Sequence, residues 1–130
     1  MNLLIDTHAI IWFITDSQNL PPSIKLMLEN NENNCYVSIA SLWEIAIKHS
    51  LDRLKLNSNL ENVFKTIEES GFECLPISVR HILQNSQLAF HHQDPFDRII
   101  IAQAIVDDLK IITKDGQFNK YDVPMIWNNM

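Results

Sequence analysis

Short apolar segments in this chain alternate with longer segments whose apolar residues recur at helical spacing, and this alternation constrains the fold most. The short segments have the length of buried strands, so we predict strands at residues 2–5, 35–38, 72–77 and 110–113, with a fifth at 124–127. Strands that alternate with helices form a parallel sheet covered on both faces. The predicted fold class is therefore α/β, and at 130 residues the chain is expected to form a single domain, 1–130.

Helices are predicted from apolar spacing and from the residues that begin and end them. Asp94 followed by Pro95 is a strong helix start, Ser78 is a suitable cap for another helix, and Gly71 closes a third. The helix after the second strand is expected to bury an apolar face made of Ile39, Leu42, Trp43, Ala46 and Ile47. The predicted helices span about 7–14, 20–30, 39–50, 58–70, 78–87 and 94–108, and His91, His92 and Gln93 are predicted to form a loop.

Four carboxylates stand where the strands end or just inside the helices that follow them. Asp6 and Asp115 follow the first and fourth strands, Glu44 lies one to two turns into a helix, and Asp97 lies in the first turn of another. The carboxyl ends of parallel strands open onto one crevice, so we expect these side chains to converge. Converging carboxylates without matching cations cannot all remain ionised. Hard carboxylate oxygens suit Mg²⁺ or Mn²⁺, and the pattern predicts such a site.

Each of the four carboxylates also has a local structural explanation. Asp6 is placed to cap the first helix, and Glu44 is placed to pair with the lysine four residues later. Asp97 can complement a helix dipole, and Asp115-Gly116 is an ordinary turn signature. Taken singly, these explanations are the simpler ones. The coincidence of four carboxylates at one edge of a predicted sheet favours the metal site. Both the local structural roles and the metal site stay open here.

Neighbouring residues are assigned structural roles. Asp94 is expected to cap its helix rather than bind a metal, and Arg98 is expected to pair with a neighbouring carboxylate. Three aromatic residues are expected to pack in the core rather than to stack on bases, namely Trp12, Trp43 and Phe96. His8 either lines the crevice or faces a loop. Two lysines are placed to contact phosphate but are expected to be solvated, namely Lys48 and Lys114.

Composition excludes several classes of protein. A net charge of −6 argues against non-specific nucleic-acid binding through a broad basic surface, although not against an enzyme whose local field is set by metal ions. Two glycines are too few for a glycine-rich phosphate loop. Cys35 and Cys74 are isolated and are expected to be buried thiols in a reducing cytoplasm. We expect no signal peptide and no membrane span.

Four segments occur in an order and spacing that resemble a known family. They are LIDTH at 4–8, SIASLWEIAIK at 38–48, DPFDR at 94–98 with IAQA at 101–104, and ITKD at 112–115. Together they resemble PIN-domain proteins, specifically the VapC-type toxins of bacterial toxin–antitoxin pairs. The resemblance covers essentially the whole chain.

The resemblance implies a PIN-like three-layer α/β/α fold with a parallel sheet of about five strands. It implies a cytoplasmic, Mg²⁺- or Mn²⁺-dependent endoribonuclease that acts on RNA as its substrate. It also implies a cognate antitoxin protein that blocks the site, and a homodimer is expected.

The resemblance also assigns roles to residues. Asp6, Glu44, Asp97 and Asp115 match the family's acidic quartet, and Thr7 and Thr113 match its hydroxyl-bearing neighbours. We expect Asp6 and Asp97 to be the principal metal ligands, Glu44 to orient the attacking water and Asp115 to complete the site. One departure is Asp52, which stands where relatives usually carry a glycine in a turn.

Two other classes of function compete with the nuclease. A receiver-like phosphorylatable signalling module also places aspartates at strand ends, but it needs an acidic pair after its first strand, and here Asp6 is followed by Thr7. A catalytically silent partner-binding domain is expected to have lost part of the quartet, and all four carboxylates are present.

Overall fold

A five-stranded parallel sheet forms the centre of the molecule. The computed structural model describes residues 1–91 and 93–127, so the loop predicted at His92 lies outside the described residues. The strands are β1 (Asn2–Ile5), β2 (Asn34–Ser38), β3 (Glu73–Leu75), β4 (Lys110–Ile112) and β5 (Met125–Ile126), in the spatial order β3-β2-β1-β4-β5. The prediction of an α/β fold with about five parallel strands is confirmed.

Six α-helices connect the strands. They are α1 (Thr7–Ile14), α2 (Pro22–Glu29), α3 (Ile39–Ser50), α4 (Leu60–Glu69), α5 (Val79–Ser86) and α6 (Pro95–Asp107), and a 3₁₀ turn follows β4 at Gly116–Lys120. Ser78 caps α5 and Asp94 caps α6, as the sequence predicts. The third strand is shorter than predicted because it ends before Pro76, which has no amide hydrogen to donate to a neighbouring strand.

Helices cover both faces of the sheet, which makes three layers. Leu3 and Ile5 of β1 belong to a core that also contains apolar residues of α1, α2, α3 and α4. Leu4, which points to the opposite face, belongs to a second core built largely by α6. All three side chains are fully buried, so after the exposed Asn2 the central strand is apolar until the chain leaves it at Asp6.

The face that α3 buries differs from the prediction. Its buried residues are Ala40, Ser41, Glu44 and Ile45, whereas Ile39 is exposed and Trp43 is 63% exposed. Small side chains on this face allow α3 to approach α1 and α6 closely. The prediction that Trp43 packs in the core is therefore wrong; its ring instead makes an edge-to-face contact with Phe96 at a centroid distance of 5.3 Å.

Arg98 is buried and holds several segments of the chain together. The prediction that it pairs with a neighbouring carboxylate is wrong for the described residues. Its guanidinium donates hydrogen bonds to three main-chain carbonyls, those of Ala89, Asn85 and Leu88, and to the hydroxyl of Tyr121. Its partners among the described residues are thus neutral oxygens and not a carboxylate. A guanidinium has five donors, which suits it to collect several carbonyls that the loop after α5 would otherwise leave unpaired.

The two cysteines differ in exposure. Cys35 is buried, as predicted, but Cys74 is exposed. The reason is that β3 is the edge strand of the described sheet, and both Glu73 and Cys74 remain open to solvent.

Among residues 1–91 and 93–127, no helix is both long and apolar enough to cross a membrane.

Candidate functional site

Asp6 lies between β1 and α1, and its two carboxylate oxygens bind different parts of the fold. Oδ1 accepts a 2.8 Å hydrogen bond from the amide of Ala9 and so caps α1. Oδ2 accepts a short hydrogen bond from the hydroxyl of Thr113, which follows β4. These bonds use only part of the acceptor capacity of a carboxylate, so the capping role leaves Asp6 able to bind a further group.

The pKa of Asp6 is raised above its ordinary value of 3.8 because the group is buried. The hydrogen bonds from Thr113 and Ala9 and the nearby His8 act in the opposite direction, since they favour the ionised form. The negative charge of Asp115 adds to the rise. Asp6 is therefore a carboxylate that gains from any additional positive charge placed beside it.

Glu44 projects from α3 and is buried, with 6% of the residue exposed. Its Oε2 lies 2.9 Å from the ammonium nitrogen of Lys48, so the pair predicted from the sequence is present, but it is not on an exposed face. Its Oε1 is one of two buried side-chain polar atoms in the described part of the chain that have no hydrogen-bond partner. An unpartnered buried carboxylate oxygen is costly, and functional sites are where such atoms are tolerated.

Asp97 lies in the first turn of α6, and its carboxyl group is also hard to ionise. Its pKa is raised to about 7, first by burial and then by the negative charges of Asp94, Glu44, Asp115 and Asp6. Each of these carboxylates is close enough to act on Asp97, which means that the structure brings the predicted quartet into one electrostatic neighbourhood.

Asp115 stands at the exposed rim of this group. Its Oδ1 caps the 3₁₀ turn by accepting a 2.9 Å hydrogen bond from the amide of Gln117. Its own amide donates to the hydroxyl oxygen of Thr113 at 3.0 Å. Because the Thr113 hydroxyl also donates to Asp6, this one residue links two members of the quartet.

Asp94 has the capping role that the sequence predicts. Its Oδ1 accepts hydrogen bonds from the amides of Phe96 at 2.9 Å and Asp97 at 3.3 Å, and the side chain is exposed. The other hydroxyl named by the sequence, that of Thr7, is buried and donates to Ser41 at 3.0 Å, which joins α1 to α3 behind the carboxylates.

The carboxylates fit a divalent cation by their chemistry rather than by a preformed cage. Within the described ranges, no three His, Cys, Asp or Glu side chains stand in positions to hold one ion. Two observations nevertheless favour a cation among them: the unpartnered Oε1 of Glu44, and the charge repulsion that raises the pKa of Asp97. Hard oxygen donors of this kind suit Mg²⁺ or Mn²⁺.

Two cavities contain members of the quartet. One of about 380 Å³ is lined by Asp6, His8, Trp12, Lys114 and Asp115. Another of about 480 Å³ includes Glu44, Lys48, Arg53 and Phe96 in its lining. A larger cavity of about 740 Å³ lies at the β3 edge and α4 and contains none of the four carboxylates.

Sequence reasoning undervalued three residues of the first cavity. His8 does line the crevice, and Trp12 and Lys114 line it as well. Trp12 packs against the first core and Lys114 is exposed, as expected, but the sequence did not place either of them at the crevice. The available signal was helical spacing, because positions 8 and 12 fall on one face of the helix that Asp6 begins.

The fold and the site define the class of protein: a three-layer α/β domain with carboxylates gathered at the carboxyl ends of its central strands. The family model of the PIN domain matches residues 3–124, and the chain belongs to the PIN domain family. PIN domains are nucleases, which is consistent with an acidic site. No curated protein matches the chain significantly in sequence.

Several solved structures share the fold. A VapBC2 complex from Rickettsia felis, bound to a promoter DNA fragment, aligns with a TM-score of 0.75 at 16% identity over 98% of this chain and 100% of its own. VapBC from Salmonella typhimurium gives 0.70 at 17% identity over 97% of both chains. FitAcB from Neisseria gonorrhoeae gives 0.65 at 22% identity over 95% of this chain and 96% of its own. At these identities the likeness establishes a common fold.

Replacing Asp97 by asparagine should stabilise the metal-free protein above pH 7 and do so less towards pH 4. The folded-state pKa of Asp97 is raised from 3.8 to about 7, so its favourable contribution is present below about pH 4 and is lost as the pH rises to about 7. The measurement is thermal unfolding in EDTA across this range. Glu73→Gln, at an exposed edge position, is the matched control. Parallel curves for wild type and Asp97→Asn would contradict the raised pKa.

Proposed function

We propose that this chain is a metal-dependent endoribonuclease and the toxin of a toxin–antitoxin pair. Two observations carry the proposal: Asp6, Glu44 and Asp115 lie close enough to Asp97 for their charges to raise its pKa further above the value that burial gives it, and Oε1 of Glu44 is buried without a partner. Four mutually repelling carboxylates lower the stability of a protein, and a divalent cation offsets that cost only when it is bound. Membership of the PIN family supports hydrolysis of phosphodiester bonds.

Within this proposal the residues have distinct roles. Asp6 and Asp97 would be the principal ligands of Mg²⁺ or Mn²⁺, and Asp115 would complete the site from its rim. Such an ion lowers the pKa of a bound water and neutralises phosphate oxygens. Glu44 holds the attacking water through Oε1, while Lys48 fixes the orientation of the carboxylate through Oε2.

The bond that breaks follows from the attacking group. A water oxygen attacks phosphorus, the bond from phosphorus to the 3′ oxygen breaks, and that oxygen takes up a proton, leaving a 3′-hydroxyl and a 5′-phosphate. The alternative route, attack by the RNA's own 2′-hydroxyl, needs an acid–base pair. His81 is already engaged, because Nδ1 accepts from the amide of Ser78 and Nε2 lies 2.9 Å from Asp107. His8 lines the cavity of Asp6 and Asp115, so the chemistry of the product ends is what separates the two routes.

The receiver-like alternative is disfavoured by topology. Receiver modules of the flavodoxin-like type order their strands 2-1-3-4-5, whereas the order here is 3-2-1-4-5. The silent-partner alternative is disfavoured by the continued presence of all four carboxylates in one neighbourhood.

RNA cleavage should require a divalent cation and Asp97, but not Asp94. We expect cleavage of total RNA to stop in EDTA and to return with Mg²⁺ or Mn²⁺, and we expect Asp97→Asn to abolish it. Asp94→Asn is the matched control, since it makes the same change of a carboxylate to an amide at the helix cap and weakens that cap at a cost of about 1 kcal/mol or less, because the asparagine oxygen still accepts the capping hydrogen bonds. Cleavage and melting are measured on the same preparations.

Two results would overturn this mechanism. One is cleavage by Asp6→Asn protein that persists in chelator. The other is product 5′ ends that accept an adapter only after kinase treatment, which would show that the 2′-hydroxyl attacks and that the carboxylates have another role.

The proposed protein partner is an antitoxin. Support comes from the solved structures of similar fold, one of which is a toxin–antitoxin complex from Klebsiella pneumoniae with a TM-score of 0.66 at 17% identity. Cellular RNA cleavage by the unpartnered chain should arrest growth when it is expressed alone, and Asp6→Asn should relieve the arrest. Normal growth in the presence of folded, nuclease-active protein would argue against a toxin.

A second copy of the chain is also proposed as a partner. Large apolar side chains are exposed on two helices that both pack on α6: Ile39 and Trp43 on α3, with Leu51 directly after it, and Val79, Ile82 and Leu83 on α5. Soluble monomers seldom leave so much apolar surface on neighbouring elements.

Sedimentation equilibrium should therefore show a dimer that Ile82→Asp dissociates. The matched control is Leu26→Asp, which places the same charge on an exposed leucine of α2. A wild-type protein that is monomeric at every concentration contradicts the homodimer.

A further inference from the structure

The cavity that holds Asp6 and Asp115 has a second wall of quite different chemistry. That wall consists of His8, Trp12 and Lys114. Carboxylates suit a metal ion, whereas an aromatic face and an ammonium suit a nucleobase and a phosphate. Both walls enclose the same space of about 380 Å³, so a ligand at the carboxylates also meets this second wall.

Trp12 has the surroundings of a stacking platform. Its ring is half-buried and is held between His8, at a centroid distance of 6.1 Å, and Trp127, at 5.9 Å, both in tilted contacts. A ring fixed in this way loses little conformational entropy when a base stacks on it. Trp12 also packs at the border of the first core, which explains its position but not its exposure to the cavity.

Lys114 stands over the same ring and is not committed elsewhere. Its ammonium nitrogen lies 5.9 Å from the centre of the Trp12 ring, beyond the ~3.5–4 Å of direct atomic contact. The side chain is exposed and forms no ion pair within the described part of the chain. It is therefore free to swing from the ring to a phosphate while a base takes its place.

We propose that Trp12 stacks on an unpaired nucleobase of the substrate and that Lys114 binds an adjacent phosphate, which positions the neighbouring phosphodiester at the carboxylates. This proposal rests on the ribonuclease function proposed above and names two residues that position its substrate. A base that stacks on Trp12 has left its own helix, so the substrate is single-stranded RNA or a loop rather than a continuous duplex.

The test is binding of a fluorescein-labelled single-stranded RNA oligonucleotide, measured by anisotropy in Ca²⁺, with gel analysis to show that the RNA stays intact. Trp12→Leu should weaken binding by about tenfold or more, because it removes one base–aromatic stack. Trp12→Phe should retain most of the affinity because it keeps an aromatic face. The same oligonucleotide annealed to its complement should bind much more weakly to the wild type.

The matched control is Phe13→Leu. Phe13 is the next residue of α1 and is equally half-buried, but its ring contacts Phe72 at 5.3 Å and does not line the cavity. Phe13→Leu should lower the melting temperature, as Trp12→Leu is also expected to do, but it should bind RNA like the wild type. Equal affinities for Trp12→Leu and Phe13→Leu would reduce Trp12 to a packing residue and overturn the proposal.

The phosphate contact is tested by salt dependence. Lys114→Gln should reduce the slope of log Kd against log salt by about 0.7, the value for one phosphate on a single strand. Lys65→Gln, an exposed lysine on α4, should leave the slope unchanged. An unchanged slope in Lys114→Gln would remove Lys114 from the proposal.

A set of oligonucleotides with one abasic position each separates stacking from indirect effects. One position should weaken binding to the wild type and have no effect on Trp12→Leu, since the two changes remove the same contact. Additive losses at every position would overturn the proposed stacking.

Cleavage is assayed separately in Mg²⁺. RNA that binds in this pattern but is not cut would contradict the ribonuclease function and would still support stacking on Trp12. If wild type and Trp12→Leu cut RNA equally well, and single-stranded and duplex RNA are cut alike, the ribonuclease function stands and the stacking proposal is overturned. Failure of the wild type to bind RNA in Ca²⁺ also overturns the stacking proposal.

Discussion

The hydrogen bond between Asp6 and Thr113 is the interaction on which the arrangement at the carboxyl edge of the sheet depends. It joins the residues that follow β1 and β4, the two strands at the middle of the sheet. The same carboxylate caps α1, and the same hydroxyl accepts the amide of Asp115. The chain thereby leaves two parallel strands in defined directions, and the positions of two acidic side chains are set by one buried contact.

This arrangement trades stability for function. Burial and the repulsion of neighbouring carboxylates raise the pKa values of Asp6 and Asp97, the latter to about 7, which means that ionising these groups costs more in the folded protein than in the unfolded chain. The surrounding polar contacts compensate only in part: Lys48 pairs with one oxygen of Glu44 and leaves the other buried without a partner. The deficit is one of positive charge, and it lies where the strands of an α/β sheet present ligands.

The sequence predicts those parts of the structure that depend on local chemistry. The cap at Asp94 and the strand that ends before Asp6 follow from residue type and position, and both are observed. The buried face of α3 was not predicted correctly, because the helix buries the polar Ser41 and Glu44 and exposes Trp43. Apolar spacing assumes that the buried face is the apolar one, and that assumption fails where a helix carries a carboxylate inward.

Long-range partners are the other part that sequence could not provide. Arg98 was expected to pair with a carboxylate, but its guanidinium donates hydrogen bonds to three main-chain carbonyls. Asp52 was predictable in part. The family resemblance leads to a glycine at this turn, and the left-handed φ of 56° at Asp52 explains why a glycine suits it, but only the structure shows the angle.

A chain with sixteen acidic and ten basic residues is poorly suited to attract a polyanion, and local placement is what resolves this difficulty. Lys48 and Arg53 line the cavity that contains Glu44, and Lys114 lines the cavity that contains Asp6 and Asp115. Both carboxylate-bearing cavities therefore have cations in their own walls. Because fields at such short range are dominated by the nearest charges, and most of all by any bound divalent ion, the overall charge governs solubility while these three side chains govern approach to the site. In the proposed ribonuclease the acidic surface would then favour selectivity, since a nucleic acid would be held only where its phosphates meet those cations and would be repelled elsewhere.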